Sequence, residues 1–409
     1  MKYRALIIFI ILCIWPVANL WAFYEMEGDR FALSARGAVD FSTGFNDYPR
    51  PRLLHPSTSE GFESMTARLL MDALVNENMR FEANAYQEIH SLADTIGSAF
   101  TYEPYRTKRL RRKVIDDDKV KSTLSLDQIS MKIYSKPVDI TIGRQPISLA
   151  NNFIFTPNDL FYPFASTAVD REFRPGVDAF RLDIMTGMLS RITIIGVLGY
   201  ERDGCITWDR SAGIFRESIN WQGFDWSVLG GKVDGRHLTG LAFSGEAMGQ
   251  GVRMEGNMSF PTEQGEDRYL QLSLGIDHRW KNSLHLMVEY YYHGNGKTDP
   301  MCYPGQIMQE TYLADPFLGK YYLGVTLKGD ATALITLQGT ALINLKDPSY
   351  YLSPAIVYSA GDEVEFIAGM GIPAGRKPGI LYTAPMLPDI RSEYGSYPVT
   401  IYLQGRFYF

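Results

Sequence analysis

Most of this sequence is written in one period. Along 283–293, Leu284, Leu286, Val288, Tyr290 and Tyr292 fall opposite His285, Glu289 and Tyr291. Along 331–344, Ala333, Ile335, Leu337, Ala341 and Ile343 fall opposite Thr336, Gln338, Thr340 and Asn344. The last twelve residues, PVTIYLQGRFYF, set Val399, Ile401, Leu403, Phe407 and Phe409 against Thr400, Tyr402, Gln404, Arg406 and Tyr408. Period two means strands with one apolar and one polar face. Segments of about ten such residues between turn signals are the pattern of a transmembrane β-barrel. Beyond residue 22 no apolar run reaches 18 residues. If the chain crosses a membrane it therefore does so with strands closed on themselves, because lipid offers no partner to an open sheet edge. A secreted β-sandwich is the alternative. It would bury its apolar faces and gives no reason for alternation up to a final Phe.

Connection lengths give the strand count. Seventeen alternating segments are legible, and a single-chain barrel of this kind has an even number. Working back from the tail, the connections 359–362, 328–331, 280–283 and 246–249 are short. They alternate with the longer 373–397, 344–350, 293–319 and 260–268. Working forward, 75–79, 134–137 and 185–188 are short and alternate with 45–63, 90–122 and 145–176. The two series fall out of phase between 201 and 223, and one more strand near 206–217 restores it. The expected fold class is all-β, a transmembrane antiparallel barrel of 18 strands, with 16 the next choice.

The first residues read as a signal peptide over 1–22, leaving 23–409 for the barrel. Lys2 and Arg4 precede an apolar run from Ala5 to Trp15, Pro16 breaks it, and Ala22 offers a small residue for cleavage. The run is shorter than the roughly 20 residues of a spanning helix, which disfavours a retained anchor. Losing Lys2 and Arg4 takes the net charge from −6 to −8, so no basic excess points to nucleic acid. Cys205 and Cys302 remain, too few for a disulfide framework; both map to outer loops several strands apart, so two free thiols are expected.

The tail also carries a resemblance. Phe409, with Phe407, Leu403, Ile401 and Val399 at alternate positions, resembles the C-terminal signal of bacterial outer-membrane porins; Gly405 sits one residue later than their usual pattern. The stretch VDITIGRQPISLANNFIFTPNDLFYPF, followed by RPGVDAFRLDI, is similar to porin-like barrels of Gram-negative bacteria. The resemblance implies an outer-membrane location, with the barrel assembly machinery reading Phe409, Phe407, Leu403 and Ile401. It also implies a third outer loop folded into the pore.

An 18-stranded barrel leaves room for an aqueous lumen. Alternation points Arg36, Asp40, Arg68, Arg80, Glu82, Arg181, Arg253, Glu255 and Glu289 inward. Counting also Arg191, Lys320 and Arg406, and Asp72, Glu88, Asp183, Asp277, Glu363 and Glu365, bases and acids nearly balance, so the wall should select weakly between ions. The loop 146–176 is the expected constriction. Water solvates its Phe155, Phe161 and other rings poorly, so the inner wall is their natural resting place. Asp159, Asp170, Arg171, Glu172 and Arg174 could then set the field at the narrowest point. The alternative is a loop packed at the rim or on another subunit. The cluster KRLRRKVIDDDK could meet lipopolysaccharide phosphates, although such runs are more often simply solvated.

Catalysis has little support. His285 and Glu289 lie about 13 Å apart along one strand, and the six His show no metal-ligand spacing. No cofactor is expected, nor any C-x-x-C-H haem site. Two functions fit: a porin-like channel for passive diffusion of small hydrophilic solutes, or a sheath around a partner such as a multihaem cytochrome. Outer-membrane lipid is a partner in both, and a homo-oligomer is possible in either.

Overall fold

The structure, a computed structural model, describes residues 24–28, 30–50, 59–91, 103–117, 119–164, 172–262, 267–307, 317–381 and 387–409. The leader at 1–22 lies outside the described residues.

The chain enters with β1 (Tyr24–Gly28), β2 (Phe31–Asp47), β3 (Ser59–Asn76), β4 (Met79–Ser91), β5 (Arg111–Asp116) and β6 (Val120–Ser135). Next come β7 (Val138–Gln145), β8 (Val177–Gly187), β9 (Ser190–Val197), β10 (Ala212–Trp221), β11 (Phe224–Val233) and β12 (Arg236–Ala247). Then follow β13 (Gln250–Pro261), β14 (Tyr269–Arg279), β15 (His285–His293), a short helix α1 (Tyr303–Ile307), β16 (Tyr321–Asp330) and β17 (Ile335–Asn344). The chain ends with β18 (Ser349–Gly361), β19 (Val364–Ala374), β20 (Gly379–Leu381), β21 (Leu387–Asp389) and β22 (Val399–Tyr408).

Setting aside β1, β5 and the small β20–β21 hairpin, 18 antiparallel strands pair in chain order, and β22 pairs with both β19 and β2. The sheet is thus closed, as the alternation required. The segment that the sequence left illegible is β10, four to six residues later than expected. Its hydrogen bonds to β9 and β11 restore the phase.

Dyad alternation became the two faces of the wall. On β14, Leu270, Leu274 and Ile276 are exposed outward, while Gln271 and Ser273 are buried inward. An aromatic rim accompanies this: Phe260, Trp280 and Tyr358 are exposed near strand ends, and Tyr292 lies beside Tyr321 across β15–β16. Short connections cluster at one end. Gln222-Gly223 and Met248-Gly249 have positive φ at both residues, the backbone of a tight two-residue hairpin. Asp234-Gly235 makes the same turn at the other end, where the connection 345–348 is also short.

Ten residue pairs join β22 to β2, and the tail then seats against a glycine. The Phe409 N–H donates to Gly37 O at 2.9 Å, and the Phe409 ring fills the space where a Gly37 side chain would stand. A Cβ there would lie 2.0 Å from the ring. The short β1 pairs with the same edge of β2 just beyond this point, Tyr24 opposite Ala35.

Candidate functional site

Half of the loop between β7 and β8 lies inside the barrel. Pro146 to Leu149 leave β7 along an inner wall that is apolar at this end. Ile147, Leu149 and Phe161 are buried with Ile195, Val197, Ile214, Leu229 and Leu238 of β9 to β12. Tyr105, from the connection 92–119, meets Phe161 edge-on at 5.1 Å.

Two wall carboxylates then hold the loop backbone. Glu289 on β15 accepts the N–H groups of Phe153 (2.9 Å), Ile154 (3.0 Å) and Phe155 (2.9 Å). Glu255 on β13 accepts those of Asn151, Asn152 (3.0 Å) and Asn158 (3.3 Å). Asparagines complete the set. Asn152 donates to Ser273 Oγ, Asn158 to Leu241 O, and Asn257 to Pro157 O. A loop that leaves water must pair its backbone, and these partners do so. Ile154 and Phe155 sit where a side chain on Gly324 would stand, within 2.9 Å of its Cβ position. Phe155 stacks on Tyr291 at 5.1 Å and 13°, with Phe317 and Tyr322 around it.

The return limb runs to the opposite wall. Asp159 pairs with Arg174, whose guanidinium lies over the Phe164 ring at 4.6 Å. Burial pushes the Asp159 carboxyl up to about 6, with Arg174 pulling the other way. Arg68 on β3 lies over the Phe173 ring at 4.4 Å, and Glu172 accepts from Tyr408 Oη at 2.6 Å. Of the strands that hold the first limb, β13 is nine strands around the 18-strand circuit from β3 and seven from β22, and β15 is seven and five. The loop therefore spans the lumen.

Of the expected wall charges, Lys320 and Glu363 fall just outside strand ends and the rest stand on barrel strands, but not all line open space. Glu255 and Glu289 are 0% and 1% exposed, covered by the loop that they hold. Arg68 pairs with Asp127 at 3.0 Å, Arg80 with Asp72 at 2.6 Å and Glu82 at 3.1 Å, Arg181 with Asp183 at 2.7 Å, Arg253 with Asp277, and Asp40 with Arg406 at 3.4 Å. Arg36 lies on β2 and is exposed. Of the loop residues, Phe155, Asp159, Phe161, Glu172 and Arg174 are placed as above; Asp170 and Arg171 lie outside the described residues. Ile401 and Leu403 are exposed on the outer face of β22, with Phe407 and Phe409 at its end.

Sequence reading missed several participants. Arg106 is buried and meets Asp127 at 3.0 Å. Asp127 escaped notice because a bulge there reverses the alternation of β6. Arg216, on the illegible β10, donates to Ser227 Oγ at 3.2 Å and to Asn151 Oδ1 at 3.5 Å, within electrostatic reach of Arg181 and Arg191. The asparagine run Asn151-Asn152 was the one available signal for the polar limb. Cys205 and Cys302 are exposed free thiols, as expected. His285, too far from Glu289, instead meets Asp277 at 3.0 Å.

The barrel is similar to those of solved outer-membrane porins. A BenF-like porin from Pseudomonas fluorescens Pf-5 superposes with a TM-score of 0.56 at 7% identity, over 92% of this chain and 98% of that one. Pseudomonas aeruginosa OccK8 (OprE) gives 0.54 at 7%, over 92% and 98%. Acinetobacter baumannii OccAB4 gives 0.52 at 10%, over 92% and 97%. At these identities the likeness is one of fold. No protein-family model and no curated protein matches the sequence.

Proposed function

We propose that this chain is a porin-like channel in the outer membrane of a Gram-negative bacterium. It passes small hydrophilic solutes by diffusion through a lumen narrowed by the loop 146–176. The observation that carries this reading is the loop's span from Glu255 and Glu289 on one wall to Arg68 and Tyr408 on the other. A wall carboxylate that satisfies three backbone N–H groups holds a loop far more firmly than apolar contact alone, since hydrogen bonds to charged groups contribute about 1.5–3 kcal/mol each.

The reading is a non-catalytic one, and it brings the assembly machinery and lipid as partners through the tail and the apolar belt. The sheath reading loses ground, because a lumen crossed by its own loop has no place for a folded cytochrome. The test is reconstitution of the purified chain in planar bilayers. Stable conductance steps support the channel; silence under all conditions rejects it.

A further inference from the structure

One buried acid has no role in holding the loop 146–176 and no cation beside it among the described residues. Glu393, in the connection between β19 and β22, has no exposed surface. Its carboxylate accepts the Leu318 N–H at 3.2 Å, the Asn344 side-chain amide at 2.8 Å and the Tyr322 hydroxyl at 2.5 Å. Its own N–H donates to Asp347 at 2.6 Å. Three outer connections, 294–320, 345–348 and 375–398, thus meet at one residue: Leu318 at its carboxylate, Asp347 at its backbone N–H.

That group stands directly behind the platform of the lumen loop. Leu318 follows Phe317, whose ring is 5.3 Å from that of Phe155, and the Tyr322 ring is 6.0 Å from it. We propose that Glu393 is a proton-sensitive latch: by docking the connection 375–398 it positions Phe317 and Tyr322, and through them the lumen loop at Phe155. The role in permeation rests on the channel reading; the docking itself does not.

The direction follows from the surroundings. The titratable groups that face Glu393 are Asp347 from the β17–β18 connection, Tyr303 from α1, Tyr322 from β16 and Tyr394 beside it, with His293 of β15 and Tyr397 a shell further out. None supplies a positive charge at contact distance. Burial raises the Glu393 carboxyl from 4.5 to about 7, more than the hydrogen bonds from Tyr322, Leu318 and Asn344 lower it. A carboxyl raised on docking binds its proton more tightly when docked. Docking is therefore at full strength below about 4.5, weakens as pH climbs toward 7, and is level above that. The whole change is up to a few hundredfold, about ten for each pH unit in that window.

The experiment compares the wild type with Glu393→Gln, which keeps the shape and carries no titratable proton. Amide hydrogen exchange in the purified barrel, corrected for intrinsic rates, is read at 153–161 and 317–322 between pH 5 and 7.5. We expect wild-type protection at 317–322 to fall at least tenfold and the variant's there to change less than twofold; at 153–161, where Asp159 titrates in both proteins, the fall should be several-fold larger in the wild type. Equal pH dependence in the two proteins, or none in the wild type, overturns the latch. Bilayer recordings run alongside should show wide substates in the wild type more often at pH 7.5 than at pH 5. If neither protein conducts, the channel reading fails and the exchange data still decide the latch.

Discussion

The carboxylate of Glu289 on β15 accepts the backbone N–H of Phe155 at 2.9 Å, across 134 positions of sequence. With Phe153 and Ile154 on the same carboxylate, one side chain satisfies three consecutive donors. Glu289→Ala strands all three in a site that excludes water, at about 1–3 kcal/mol each. We expect the loop to leave the wall, single-channel conductance to rise, and the barrel to stay closed by heat-shifted gel mobility. Unchanged conductance in a closed barrel would show that the loop does not depend on this anchor.

Phe155→Ala removes a ring stacked at 5.1 Å on Tyr291 and fully buried. Truncating a core Phe costs about 3–5 kcal/mol. The loss falls on the loop, so larger neutral solutes should enter liposomes faster while thermal unfolding of the barrel barely shifts. A large fall in barrel melting with no change in permeation would reverse that assignment.

Gly37→Val should block closure. Its side chain would need the space of the Phe409 ring, at the end of the seam where ten residue pairs join β22 to β2. Pulse-chase of the heat-modifiable folded form should show accumulation of unclosed chain, as should deletion of Phe407 to Phe409. Normal folding of G37V would mean that the Phe409 ring moves aside at little cost.

Ion preference should lean toward anions. Glu255 and Glu289 are covered by the loop, which takes two acids from the open wall, while Arg216 adds a base near Arg181 and Arg191, with Glu255 also within reach. Fields focus where a lumen narrows. Reversal potentials in a salt gradient should therefore favour anions, and Arg216→Gln should reduce that preference more than Arg36→Gln. A cation preference in the wild type would contradict the placement.

Cys205 and Cys302 are both exposed and unbridged. A membrane-impermeant maleimide should label both on intact cells, and reduction should leave gel mobility unchanged. A mobility shift would reveal a bridge.

The alternation of β14 or β22 decided, without further help, that these segments are strands and which face meets lipid. That information is local, because successive side chains of a strand must point to opposite sides. The even count and the phase of the turns then placed β10 before any coordinate did, though four to six residues early, since its Gly213, Arg216 and Glu217 blur the period. The rings of Phe155 and Phe161 announced a loop unfit for water, and that too is a property of the residues themselves. What the sequence could not hold is which wall receives them. The inward face of Glu289 was legible, but its three donors come from a loop more than 130 positions earlier, brought near only by closure of the barrel. The same holds for Glu393, a glutamate in a long connection by sequence and a buried junction of three loops in the fold. Local period sets the wall; the contents of the lumen are long-range pairings that exist only once the wall has closed.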